Sequence, residues 1–167
     1  MISSGSSNDQ NQLRAIETEY DGHRFRSRQE ARFAVLLNAL SIPYRYELEG
    51  YHIGNGSKYL PDFWLEETET FVEIKGKEPT LPEFRKAGRL AVLGTNPVLI
   101  LWGEFRYPEF IQNSYSFFRD HLGIFHSKRG DALWFIGYKT MPGIFNDLFG
   151  ALDQARQARF EHGETPQ

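Results

Sequence analysis

Residues 60–77, LPDFWLEETETFVEIKGK, place charges inside segments that otherwise read as buried strand. Strand side chains alternate with a period of two, so Asp62, Glu73 and Lys75 share one face. Phe63, Leu65, Val72 and Ile74 make the other, a core side. A two-residue turn at Glu67–Thr68 sets Asp62 directly opposite Glu73, whereas a loop two residues longer sets it opposite Lys75. Glu67-Thr68 is not a favoured tight-turn pair, so the register stays open between these two. Carboxylates roughly 5 Å apart on adjacent strands repel unless a proton or a cation sits between them. Oxygen ligands at that spacing suit magnesium, which accepts one or two carboxylates and keeps several waters. An ammonium two residues along from Glu73 can orient a water or offset developing charge. The implied chemistry is metal-assisted hydrolysis of a phosphodiester. The plain alternative makes Glu73 and Lys75 solvent-face strand residues and Asp62 a turn or edge residue.

Outward from this stretch, Ser27 followed by Glu30 has capping-box spacing and predicts a helix start at Ser27. Residues 31–40 are apolar almost all round, as in a helix buried on several sides, and Pro43 stops it. Strands are predicted at 44–51 (YRYELEGY), 59–65 (YLPDFWL) and 70–75 (TFVEIK). Thr80 with Glu83 repeats the capping-box spacing, Phe84, Ala87, Leu90 and Ala91 form an apolar stripe, and Gly94 ends this second helix. PVLILW, 97–102, reads as a strand buried on both faces. Beyond it, 123–139 reads as a hairpin turning at Lys128–Asp131. An amphipathic C-terminal helix presents Ile144, Leu148, Leu152 and Ala155 on one face.

The chain has 167 residues, 40% of them hydrophobic and 15% aromatic, which fits one folded domain over 15–167. Residues 1–14 are Ser/Asn/Gln-rich and read as a disordered leader. The predicted order helix, three strands, helix, strand occupies about 24–102, with an extension over 103–167. No apolar run approaches the roughly 20 residues of a membrane span. Without cysteine there is no disulfide framework and no thiolate zinc site, in keeping with a cytoplasmic protein. The net charge of −3 argues against coating nucleic acid by charge alone, yet permits a local basic patch.

Pro61-Asp62, then Glu73-Ile74-Lys75, with Glu30 on the preceding helix, resembles the PD-(D/E)XK nuclease superfamily. FRSRQEARFAVLL followed by YRYELEGY and LPDF…VEIKG is similar to its small phage and bacterial members. The resemblance implies an α/β, restriction-endonuclease-like three-layer core: helix, three-strand meander, helix, strand, here followed by a C-terminal hairpin and helix. It implies Mg2+ (or Mn2+) on Asp62, Glu73 and the Ile74 carbonyl, with Lys75 serving the attacking water. It also implies endonuclease activity on DNA, RNA staying open. One compact site cuts one strand, so duplex cleavage takes a homodimer or sequential nicks. Glu30 matches the helix glutamate of many members. Its carboxylate either joins the metal site or bonds back to the Ser27 amide as a cap.

His23, Arg24, Arg26, Arg28 and Arg32 cluster near the first helix start, where phosphates are readily met. Lys77, Arg85, Lys86 and Arg89 are further candidates for nucleic-acid contact, or a solvated face. Glu66, Glu67 and Glu69 read as an exposed hairpin tip. Trp64, Trp102 and Trp134 read as core. No histidines stand at zinc-ligand spacing. Two rival functions share this pattern: a non-catalytic module binding nucleic acid or protein, and a phage assembly component with a vestigial site.

Overall fold

The computed structural model describes residues 15–138 and 144–160. The expected leader therefore lies outside the described residues. A short hairpin, β1 (Thr18–Tyr20) and β2 (His23–Phe25), leads into α1 (Arg28–Ala39). Then come β3 (Tyr44–Tyr46), β4 (Tyr51–His52), β5 (Lys58–Tyr59), β6 (Phe63–Leu65) and β7 (Thr70–Lys75). Next are α2 (Leu81–Gly94), β8 (Val98–Trp102), α3 (Glu109–Gln112), β9 (Ser114–Arg119), β10 (Phe125–Arg129) and α4 (Ile144–Gln157).

One six-stranded mixed sheet, in the order β10-β9-β8-β7-β6-β3, organises the molecule. Only β7 and β8 run parallel, and α2 is the crossover that this pairing requires. Alternation along β6, β7 and β8 divides the core into two sides. Phe63, Leu65, Val72, Ile74, Leu99 and Leu101 pack with Phe33, Ala34 and Leu37 of α1 and with Leu148 and Leu152 of α4. Phe71, Val98, Ile100, Trp102 and Phe117 pack with Ala87, Leu90 and Ala91 of α2. Helices thus cover both faces, giving three layers. Burial on both faces explains why β8 is continuously apolar.

Several expectations are corrected. The strand 44–51 ends at Tyr46, because Glu47 adopts a left-handed conformation (φ 45°) and turns the chain out of the sheet. Tyr51–His52 instead pairs with Lys58–Tyr59 as a separate ribbon. The strand 59–65 is split at 60–62, where Pro61 has no amide to donate to a ladder. The meander survives as β3-β6-β7, with the β4–β5 ribbon inserted between its first two strands.

The tip loop is Glu66–Glu69 rather than a two-residue turn, with Glu69 left-handed (φ 49°). It grows by one residue at each end, which preserves the register, so Phe63 faces Val72 and Asp62 lies at the level of Glu73. At the end of α2 the left-handed residue is Thr95 (φ 62°), one beyond Gly94.

The turn expected at Lys128–Asp131 does not form. β10 pairs backwards with β9, and Asp120 builds the turn by accepting the amides of Leu122 (2.9 Å) and Ile124 (2.8 Å). Residues 132–138 form an irregular helical segment, so Trp134 stands half exposed on it rather than in a strand core. Trp102 is buried and Trp64 packs on Phe71. β9 and β10 continue the central sheet and α4 joins the α1 layer, which makes the C-terminal part integral to the fold.

Candidate metal centre

Asp62 sits where the β6–β7 ladder stops. Its carbonyl accepts the Glu47 amide (2.8 Å), and its carboxylate Oδ2 accepts the Ile74 amide (2.7 Å). The side chain therefore takes the place of a missing strand residue as an acceptor for β7. Asp62 is buried, and burial raises its pKa well above the usual carboxylate range, reinforced by the neighbouring Glu73 and Glu30 charges. The Ile74 amide and Lys75 oppose this shift without cancelling it.

Glu73 projects to the α2 side of the sheet, also buried. Its Oε1 meets the Lys75 ammonium at 2.7 Å, while its Oε2 is buried with no hydrogen-bond partner. Burial raises its pKa too, against the pull of Lys75 and of the Tyr59 phenol beside it. Tyr59 is partly buried, and desolvation together with Glu73 and Asp62 pushes its pKa well above the usual phenol value. Lys75 lies between two acids, Glu73 Oε1 and Glu83 Oε1 (3.2 Å). Burial alone would lower its pKa, but the two carboxylates outweigh it and hold the ammonium protonated. Glu83 is held below the usual carboxylate range: its modest desolvation is outweighed by the Thr80 hydrogen bonds and Lys75.

An orphaned, buried carboxylate oxygen beside a second carboxylate is an energetic debt that a cation can settle. Among the described residues no three acidic or histidine side chains converge as a ligand set. Two carboxylates with backbone oxygen and water still fit magnesium, an ion that keeps much of its hydration shell. Asp62 and Glu73 are the side chains that would hold it. Ile74 gives its amide to Asp62 and its side chain to the core, leaving its carbonyl as the remaining candidate on that residue.

Glu30 is buried on α1, close enough to raise the pKa values of both Asp62 and Glu73. Its oxygens are already engaged. Oε1 accepts from the Ser27 hydroxyl (2.7 Å), and Oε2 accepts from the Tyr46 hydroxyl (2.6 Å) and the Arg26 amide (3.0 Å). The Ser27 hydroxyl in turn accepts the Glu30 amide (3.2 Å). The cap is real, but the amide reached is that of Arg26, one residue before Ser27. Burial and the bond to Glu30 push the Tyr46 phenol far up.

The basic candidates differ in exposure and in partners. Arg24 is ion-paired with Glu17, and Arg26 with Glu47 (2.7 Å). Arg28 is half-buried and has its own partner. Arg32 is half-buried, with a buried Nε lacking a partner. His23 lies against the rings of Phe25, Tyr44 and Tyr46. Lys77, Arg85, Lys86 and Arg89 are exposed. Arg85 and Arg89 line an open groove of about 470 Å³ with Ile53, Asn55 and Val92. Glu66, Glu67 and Glu69 are exposed as expected of the tip.

Three residues enter the site that the pattern of charges did not flag: Tyr46, Tyr59 and Glu83. Glu83 was visible as a capping residue. Nothing in the linear sequence marks the two tyrosines, because the turns at Glu47 and Pro61 bring them in. Among the described residues no helix is long and apolar enough to cross a membrane. Comparison with protein-family models, curated proteins and solved structures returned no match.

Proposed function

We propose that this chain is a metal-dependent nuclease of the PD-(D/E)XK type, with a restriction-endonuclease-like core, acting on DNA. The observation that carries the reading is the buried Glu73 Oε2 without a partner, next to Asp62, with Lys75 bound to the other Glu73 oxygen. When bound, Mg2+ or Mn2+ polarises a phosphoryl oxygen and makes water a stronger nucleophile at neutral pH.

The chain's own residues do the rest. Asp62 and Glu73 supply negative charge in a desolvated place, where a cation is favoured most. Asp62 is oriented by the Ile74 amide, so its carboxylate is set in place by the fold before any ligand arrives. The protonated Lys75 provides a positive charge that stabilises developing negative charge at a phosphoryl group and orients water. Arg85, Lys86 and Arg89 on α2 supply exposed charge for phosphates on the side of the sheet that Glu73 faces. One such centre cuts one strand, so duplex cleavage takes a homodimer or two sequential nicks.

The test pairs calorimetry with cleavage. Wild type should take up Mn2+ or Mg2+ and nick DNA only with metal; Asp62→Ala should lose uptake, and Lys75→Ala should lose cleavage. A parallel RNA arm decides between the two nucleic acids. Absence of uptake by wild type, or equal uptake by Asp62→Ala, would overturn the reading and leave a non-catalytic binding module.

A further inference from the structure

α2 begins six residues after Lys75, and its third position is Glu83. A glutamate there has two oxygens and one standard duty, capping the helix start. Here Oε2 performs that duty alone, accepting both the Thr80 amide (2.8 Å) and the Thr80 hydroxyl (2.7 Å). Oε1 is thereby left to point away from the cap, and it meets Lys75 Nζ at 3.2 Å. The intervening loop is also tied down, since the Tyr115 hydroxyl donates to Glu78 (3.1 Å).

We infer that Glu83 is a positioning residue for Lys75, holding the ammonium from the α2 side while Glu73 serves the metal. A lysine reaches its target on a flexible four-carbon stem, so a single partner leaves considerable rotamer freedom. Its other partner, Glu73, is also a proposed metal ligand, and a carboxylate turned toward a cation holds an ammonium less firmly. Glu83 is anchored independently of that centre by the helix cap. It keeps Lys75 aimed whichever way Glu73 turns. Misplacing such a group by about 1 Å can cost up to two orders of magnitude in rate, with little effect on substrate binding.

The inference rests on the nuclease reading for its consequence, but not for its geometry. The test therefore has two arms on the full chain. Glu83→Gln keeps the shape and removes the charge; Leu93→Gly weakens the far end of the same helix and controls for helix stability. In the first arm, NMR relaxation of the Lys75 ε-methylene in metal-free protein should show a lower order parameter in Glu83→Gln and the wild-type value in Leu93→Gly. In the second, Glu83→Gln should lower kcat about tenfold with KM for DNA within about twofold, and Leu93→Gly should cleave as wild type does. An equally ordered Lys75 in Glu83→Gln overturns the inference. So does unchanged kcat in that variant, or an equal loss in Leu93→Gly. If wild type cleaves nothing, the nuclease reading fails, and the relaxation arm still decides whether Glu83 holds Lys75.

Discussion

The two main helices open with the same local device and put it to different ends. At α1, Ser27 and Glu30 stand at the spacing that Thr80 and Glu83 repeat at α2. Glu30 is buried, and Ser27, Arg26 and Tyr46 together engage both its oxygens. Glu83 lies nearer solvent, spends one oxygen on its cap, and offers the other to Lys75. The difference comes from what the rest of the chain brings near. The chain brings the Tyr46 phenol to Glu30, whereas β7 delivers an ammonium to Glu83. A capping box therefore states where a helix starts and leaves open what its carboxylate does next.

The sharpest way to break this contrast is to compare losses of activity with losses of stability. Lys75→Ala should reduce cleavage by a factor of about 10² or more, with an unfolding midpoint near wild type, as read from initial rates and urea titration. Were Glu30→Gln to match that loss while folding as stably as wild type, Glu30 would belong to the centre and the two helix starts would be alike. The structure leads to the opposite expectation. Glu30→Gln sets an amide NH2 against donors that now give to a carboxylate, costing roughly 1–3 kcal/mol in urea unfolding.

A further prediction concerns pH. Asp62 has a folded pKa raised above its unfolded value, so the native state binds its proton more tightly than the unfolded state does. Its contribution to stability is present at acid pH and lost as pH rises from the ordinary aspartate range through the raised value. Metal-free Asp62→Asn should therefore melt higher than wild type at neutral pH, with the gain shrinking toward pH 4. A gain that stayed constant with pH would contradict the raised pKa of the buried Asp62 carboxylate. Added Mn2+ should narrow the same gap by stabilising wild type alone. The smallest effect is expected at α2, where Thr80→Ala leaves the backbone half of the cap intact and should cost about 1 kcal/mol.

Much of the fold was readable because it depends on periodicity. The apolar set Phe63, Leu65, Val72 and Ile74 selects the core side of its hairpin, and α1, α2 and β8 follow from caps and apolar runs. The Asp62–Glu73 register was one of two open options, and the longer tip loop still produces it because both ends grow equally. What failed did so where a single backbone conformation interrupts a pattern. The alternation through Leu48 is genuine, but the left-handed Glu47 ends the strand first. The late hairpin was misplaced because Asp120, the residue that builds the real turn, precedes the segment that carried the strand pattern.

The sequence by itself determined that Asp62, Glu73 and Lys75 share a face, because parity is a local property of extended chain. Only the tertiary structure decided which of their neighbours are free. Glu30 is closed off by Tyr46, Glu73 keeps an oxygen without a partner, and Glu83 reaches Lys75. Those outcomes depend on desolvation and on partners brought together by the turns at 47 and 61–62 and the crossover between β7 and β8, and such proximity is not encoded at any fixed spacing along the chain.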